Sequence, residues 1–592
     1  MDPKTQTLID NWFAIDRDEK SRKMLEKMIQ EKNFEKIERI LSPSNRLEFG
    51  TAGLRGEVAP GYCCMNTVVI MQTAQGILKY VQENFKNDLN RGICICYDAR
   101  HYSDVFGEIT AGVFIAAGVP VHFFKQLSPT PYAAYFSEIL NCVAGVMVTA
   151  SHNPSNDNGY KVYGMNRGVQ IVPPHDSGIQ SAILASTDIK ESTYNYKQYL
   201  TAEFAEKKLY NELTEKSALT QKYYDAIKNL CFHADSNKTL AVQLQYSAMY
   251  GVGYVPFLRA LESFNFDPKA VLHFSDSAFP DPDFGGETRP NPEERHNMLN
   301  LAAKADPKTQ ILLVNDPDAD RFAMAEKQDD GEYYVFHGNE IGAILAEWML
   351  ENTSQIPNRA ICCSTVSSQI LKTMAEYYKV DFEDTLTGFK WLATQNLEWK
   401  GQNKNCVFAF EEAIGYSCGG EHGLFVGDKD GVATACVAAE MANCLYKKGL
   451  TIKKYMLNMY EKYGFYAWNN SGLTVGSMAE VGGLFEALIK NGDGKFSKNG
   501  RDYMHQFGKF EALRVRDMRQ PGYDSECGVP KLPVGGSEML SFYCGDVSCT
   551  FRPSGTEPKV KYYVEATSKV SCEDAQKKAV EFTKEFLKAI GK

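Results

Sequence analysis

The chain has 592 residues, 44% of them hydrophobic and 23% charged, with a net charge of −10. That length exceeds what a single core fills, so roughly three to five domains are expected. The acidic balance argues against a general nucleic-acid or anionic-membrane surface and leaves phosphate binding to local clusters of Arg, Lys and backbone amides. The 16 cysteines include no C-x-x-C pair, and several lie in apolar runs such as 93–97, so they read as reduced core thiols. The opening Met-Asp-Pro-Lys-Thr is polar, and no run of about 18 apolar residues occurs. A cytosolic enzyme is the expectation.

Apolar residues at helical spacing (Leu8, Trp12 and Phe13, then Met24, Leu25, Met28 and Ile29) predict two helices between residues 4 and 42, closed by Ser42-Pro43. A glycine-punctuated loop, Gly50-Thr-Ala-Gly-Leu-Arg-Gly56, follows. Helix 68–84, strand 92–97, loop 98–100, helix 104–117 and strand 119–124 then alternate, the pattern of α/β layers with largely parallel strands. The apolar run 143–148 predicts a buried strand, which breaks into a Ser-, Asn-, Pro- and Gly-rich loop at Thr149-Ala-Ser-His-Asn-Pro154. A Lys- and Tyr-rich helical stretch over 194–230 leads into a second unit. That unit has a strand at 239–244 and another at 310–314, which ends at Asn315-Asp-Pro-Asp-Ala-Asp-Arg321. A hairpin over 322–336 precedes a third unit with helix 339–350, strand 359–364 and helix 368–378. The end of the chain reads as a smaller α+β domain with strands 548–552 and 559–565 and helix 572–590. The expected division is N-terminal helices 1–45, α/β units 46–210, 211–335 and 336–464, and an α+β domain 465–592. Each α/β unit carries a special loop after a strand, which suggests diverged copies.

Four of these loops carry chemistry. Ser151 sits past a strand end beside His152 and ten residues before Lys161, so its hydroxyl could act as a nucleophile or phosphate carrier; a solvated polar turn is the alternative. Asp316, Asp318 and Asp320 would repel one another without a cation, and hard oxygen ligands favour Mg²⁺, Mn²⁺ or Ca²⁺ over zinc. Glu411 and Glu412, at the end of an apolar strand, could bind sugar hydroxyls or move a proton. Arg552-Pro-Ser-Gly-Thr-Glu-Pro558, with Lys561 close by, offers a guanidinium, two hydroxyls and glycine-freed amides to a phosphate dianion. Neither a P-loop nor a G-x-G-x-x-G fingerprint is present, against an ATP- or NAD-dependent enzyme. Carrier serine, cation loop, hydroxyl-binding carboxylate and phosphate clamp together meet the needs of phosphoryl transfer.

Thr149-Ala-Ser-His-Asn-Pro154, Asp316-Pro-Asp-Ala-Asp-Arg321, Phe410-Glu-Glu-Ala-Ile-Gly415 and Arg552–Pro558 resemble, in order, the four loops of the α-D-phosphohexomutase superfamily. Gly50–Gly56 looks like its N-terminal arginine loop. Thr387-Gly-Phe-Lys390 and Asp428-Lys-Asp-Gly431 are most similar to the branch that contains phosphoglucomutase-2 and phosphopentomutase. The resemblance implies three similar α/β domains plus a smaller C-terminal α+β domain, with the active site in the central cleft. It implies a phosphoserine at Ser151 and one Mg²⁺ held by Ser151, Asp316, Asp318 and Asp320. Arg55, His152, Lys161 and Arg321 would surround the transferring phosphoryl group, with His152 or Lys161 as base. Thr387, Gly388, Lys390, Glu411 and Glu412 would contact the sugar, and Arg552, Ser554, Gly555, Thr556 and Lys561 the second phosphate.

The implied activity is a phosphosugar mutase working on glucose or ribose phosphates through a sugar bisphosphate, with glucose 1,6-bisphosphate or an equivalent as activator. Small sugar phosphates are then its partners; nucleic acid and membranes are not, and the oligomeric state is open, a monomer being compatible. Two departures bear on the sugar: Ala413 stands where many hexomutases have Ser, and Phe389 where some relatives have His. Fewer hydrogen bonds to a hexose would leave fewer unpaired groups when a pentose binds. Other readings are a glucose-1,6-bisphosphate synthase, a catalytically silent sugar-phosphate sensor, and a metal-dependent phosphatase.

Overall fold

The computed structural model describes residues 2–50, 53–535, 538–553 and 559–592. Three helices, Pro3–Ile15, Glu19–Gln30 and Phe34–Leu41, open the chain where two were expected. The third forms because the turn at 31–33 breaks the run, with Lys32 in a left-handed conformation (φ 57°). Ile9, Trp12, Leu25, Ile37, Ile40 and Leu41 form a small core with Ala59, Cys64 and Val68 of the first unit.

Each of the next three units is built on one strand arrangement. In the first, Asp157–Asn166, Ala144–Val148, Ile93–Tyr97 and Val121–Phe124 lie side by side in that order. The last three run parallel, and Asp157–Asn166 runs antiparallel to its neighbour. In the second, Phe322–Lys327, Ile311–Asn315, Leu244–Ser247 and Leu272–His273 repeat the order and the directions. In the third, Gly415–Gly420, Asn405–Glu411, Arg359–Ser364 and Asp381–Thr385 repeat them again. Every unit therefore ends its parallel sheet with a hairpin, and the tight turn of that hairpin leaves the carboxyl end of a parallel strand. That end is where open α/β sheets place their ligands. The three turns are the Ser151 loop, the Asp316–Arg321 loop and the Glu411–Gly415 turn.

The sequence pattern explains the strands that enter these turns. Ala144–Val148, Ile311–Asn315 and Asn405–Glu411 are buried along their whole length, as expected of parallel strands covered by helices on both faces. The covering helices are correspondingly apolar: Gly431–Lys447 is buried from Gly431 through Leu445.

Two expectations are corrected. The stretch 194–230 is not continuously helical: it contains the strand Tyr210–Leu213, which pairs in parallel with Val121–Phe124 and extends the first sheet. Its two central residues are exposed and polar, so no strand-like apolar run marks it, and it crosses the boundary placed at residue 210. The first strand of the second unit is Leu244–Ser247 rather than 239–244, because its parallel register sets Leu244 opposite Ile311.

The C-terminal unit is a mostly antiparallel sheet in the order Phe465–Trp468, Lys559–Ser568, Val547–Pro553, Leu540–Cys544, Arg514–Asp517 and Tyr523–Asp524. The helix Cys572–Ala589 packs on one face through Ala579, Phe582 and Phe586. Three α/β units and a smaller α+β unit make up the molecule. Among the described residues, no helix is long and apolar enough to cross a membrane.

Candidate active site

Ser151 lies in the first hairpin turn, 1% exposed and with φ at 54°, a left-handed conformation that serine seldom adopts. Its amide donates to Thr149 Oγ1 at 2.8 Å. Its hydroxyl donates to Asp316 Oδ2 of the second unit at 2.9 Å and lies 3.3 Å from His152 Nδ1. Burial, reinforced by the charges of Arg321 and Arg55, pushes His152 well below the usual imidazole range. The sequence neighbours Ser151 and His152 are thus a hydroxyl and an imidazole within proton-transfer reach.

The second turn is tight because the Ala319 N–H bonds the Asp316 carbonyl at 2.8 Å and the Arg321 N–H bonds Asp316 Oδ1 at 2.9 Å. One oxygen from each of Asp316, Asp318 and Asp320 lies within 4.8 Å of the others, and all three residues are buried. Lys161, carried on Asp157–Asn166, donates to Asp318 Oδ2 at 2.8 Å and Asp320 Oδ2 at 2.9 Å. Thr130 donates to Asp318 Oδ2 at 2.6 Å. Burial and the flanking Asp318 and Asp320 hold Asp316 well above the normal carboxylate range. Burial would raise Asp318 as well, but the Lys161 ammonium outweighs it and holds that carboxyl low.

Asp318 Oδ1 and Asp320 Oδ1 are buried and accept no hydrogen bond among the described residues. Buried carboxylate oxygens without donors are costly, and an all-oxygen set of this kind fits a hard divalent cation. The triad therefore fits a metal. Arg55 approaches from Leu54–Glu57, opposite Gly159. Burial lowers its pKa against the pull of Asp318 and Asp320, and its Nε is buried with no hydrogen bond among the described residues. Arg321 Nε, 4.0 Å from Asp316 Oδ2 and 3.8 Å from Asp320 Oδ1, likewise makes no hydrogen bond among the described residues. Two buried guanidinium donors beside an empty-handed carboxylate pair are suited to phosphate oxygens.

The third turn is tied to the second: Arg321 donates to the Ala413 carbonyl at 3.0 Å. Burial pushes Glu411 up to about 7 against the opposing charges of Lys429 and Arg321. Glu412 behaves differently, its Oε2 accepting from Ser364 and Ser367, each at 3.1 Å. Thr387 and Gly388 (φ 103°) lead into the helix Phe389–Gly401. Thr387 Oγ1 is buried and makes no hydrogen bond among the described residues. Burial pushes Lys390 down to about 8, Asp176 opposing and Arg552 adding to the shift. The first and fourth units thus face the same lysine as the third. Arg552 and Lys561 sit opposite each other on Val547–Pro553 and Lys559–Ser568. Ser554, Gly555 and Thr556 lie outside the described residues.

Two basic residues of this region were not singled out in the sequence. Lys429, in the Asp428-Lys-Asp-Gly motif, has its Nζ 3.3 Å from Asp320 Oδ2 and 3.1 Å from Asp428 Oδ1. Arg100, read only as part of a loop after a strand, is buried beneath the Ser151 turn.

Comparison with known proteins gives the family. Residues 46–190, 221–331 and 337–463 match α/β/α domains I, II and III of phosphoglucomutase/phosphomannomutase. A human phosphopentomutase is 38% identical over 574 residues, covering 94% of this chain and 90% of that protein. A human glucose 1,6-bisphosphate synthase is 35% identical over 584 residues, covering 95% and 90%. The crystal structure of a phosphoglucomutase from Paramecium, an exocytosis-sensitive phosphoprotein in its open form, superposes with a TM-score of 0.64 at 19% identity, over 92% of this chain and 96% of that one.

Proposed function

We propose that this chain, which belongs to the phosphoglucomutase/phosphomannomutase family and is a phosphosugar mutase, moves phosphate between C1 and C5 of ribose or deoxyribose as well as between C1 and C6 of glucose. The observation that carries the mutase chemistry is the Ser151 hydroxyl, 2.9 Å from Asp316 within the buried carboxylate cluster. Ser151 is the phosphate carrier in this reading. An Mg²⁺ held by Asp316, Asp318, Asp320 and the serine phosphate would neutralise charge on the transferring group. Arg55 and Arg321 supply guanidinium donors on its flanks. Lys161 is engaged by Asp318 and Asp320, which leaves His152, with Nδ1 3.3 Å from the Ser151 hydroxyl, as the base.

The sugar hydroxyl attacks phosphorus and passes its proton to His152 as the bond to Ser151 Oγ breaks, and that proton then goes to the serine oxygen. The resulting sugar bisphosphate turns over in the cleft and returns its other phosphate to Ser151. Thr387, Gly388, Lys390 and Glu411 orient the ring, Glu412 steadying the turn through its two serines, while Arg552 and Lys561 hold the phosphate that is not reacting. Ser554, Gly555 and Thr556 join that clamp in this reading. A sugar bisphosphate such as glucose 1,6-bisphosphate primes the serine.

Pentose use is supported by two side chains. Ala413 offers no hydroxyl to a hexose, and Phe389 is buried in an apolar cluster with Leu392 and Trp399. The phosphopentomutase relative points the same way. The test is kcat/KM on ribose 1-phosphate and glucose 1-phosphate side by side, with Mg²⁺ and a bisphosphate activator. The pentose should be turned over at least comparably; a strong preference for glucose 1-phosphate would overturn the reading. An arm with 1,3-bisphosphoglycerate as donor tests the synthase activity of the second relative.

A further inference from the structure

We propose that Arg100 is a positioning residue that holds the Ser151 loop in its reactive shape; the inference rests on Ser151 being the phosphate carrier. Arg100 is 3% exposed and spends all four terminal N–H groups on main-chain carbonyls of one loop. Its Nη2 donates to the carbonyls of Ser151 at 2.5 Å and Asn153 at 2.6 Å. Its Nη1 donates to those of Pro154 at 2.6 Å and Asp157 at 2.8 Å. The guanidinium is itself fixed: Nε lies 3.4 Å from Asp98 Oδ2, and Asp98 Oδ1 accepts from the Arg100 amide at 3.0 Å and the Ser103 hydroxyl at 2.7 Å. Phe284 of the second unit closes the other side, its ring centroid 4.8 Å from the guanidinium carbon.

The arrangement answers a specific problem. A loop whose serine sits at positive φ has no ladder of its own to pay for that conformation. Four of its carbonyls, those of Ser151, Asn153, Pro154 and Asp157, converge on Arg100, and a planar fork with five donors is the one side chain that can bind all four from a single buried point. Lysine, with three donors on one atom, cannot span the same set. Because Ser151 Oγ must reach both Asp316 and a sugar, displacement of the loop by about an ångström costs on the order of a hundredfold in rate.

The test compares Arg100→Lys and Arg100→Ala with the native enzyme, Ser151→Ala serving as the control for the carrier itself. Arg100→Lys should keep its melting transition and sugar-phosphate KM within about threefold, while kcat falls about a hundredfold. The rate at which a sugar bisphosphate phosphorylates Ser151, read by intact mass, should fall in parallel. Added methylguanidinium should restore turnover in folded Arg100→Ala and not in Arg100→Lys. Native-like kcat and phosphorylation rate in Arg100→Lys, or a loss expressed wholly in KM, would overturn the proposal. Persistence of turnover in Ser151→Ala would instead overturn the carrier reading on which it rests.

Discussion

Glu411 and Lys390 illustrate how burial sets the working pH of this site. Burial lifts Glu411 to about 7 despite Lys429 and Arg321, and it drops Lys390 to about 8. A carboxylate raised in this way is neutral below that value and gains its charge as pH rises; a lysine lowered in this way is cationic below its value and loses charge as pH rises. Both groups are charged together only in the narrow interval between them. If the ionised pair binds the sugar, kcat/KM of the free enzyme should be bell-shaped with limbs near those two values. Glu411→Gln should erase the acid limb and Lys390→Arg should carry the alkaline limb upward. A profile flat from about pH 6 to 9 in the native enzyme would contradict these roles. Elsewhere in the site, three buried carboxylates meet four cations drawn from three units: Arg55 and Lys161 from the first, Arg321 from the second, Lys429 from the third. The cluster needs partners from all three to be buried at all.

The hairpin turn that closes each parallel sheet is the element the chemistry depends on. Its first copy is locked by Gly159, which lies between the strands Leu54–Glu57 and Ala144–Val148. A Cβ there would stand 2.4 Å from the Thr149 carbonyl oxygen and 2.9 Å from that of Leu54. Both obstacles are main chain, so the strands must part. Gly159→Ala should destabilise the protein by about 1–3 kcal/mol in chemical denaturation and lower kcat, because Arg55 and the Ser151 loop move with the strands. A variant as stable and active as the native chain would show that the sheet edge yields freely.

The Ser151 and Asp316–Arg321 loops were legible in sequence, since each is a buried apolar run followed at once by a dense cluster of polar turn residues, whereas the third turn is marked only by its Glu411-Glu412 pair. The shared strand order was not legible, because pairing between segments tens of residues apart leaves no local period. Arg100 was hidden for a related reason: it binds main-chain carbonyls, which any residues at positions 151 to 157 would supply. The strand Tyr210–Leu213 was masked by its exposed central pair.

At the scale of the molecule, the fourth unit is fastened to the third by contacts outside the chemistry, among them those of Arg516 and Glu565. Arg516 donates to the Thr365 hydroxyl and to Asp384 Oδ2, the latter at 3.1 Å. Glu565 accepts from the Gln369 amide at 3.0 Å and from Trp468 Nε1 at 2.7 Å. These contacts hold Arg552 where it perturbs Lys390, so in the proposed reading the phosphate clamp lies beside the sugar loop. A bisphosphate bound between them can present either phosphate to the serine only if the cleft retains it and excludes water, which separates a mutase from a phosphatase built of the same parts. The most direct measurement is a single turnover of enzyme carrying labelled phosphate on Ser151, mixed with unlabelled ribose 1-phosphate. The label should appear in ribose bisphosphate and then in ribose 5-phosphate. Its release as inorganic phosphate, with no labelled sugar, would contradict the account.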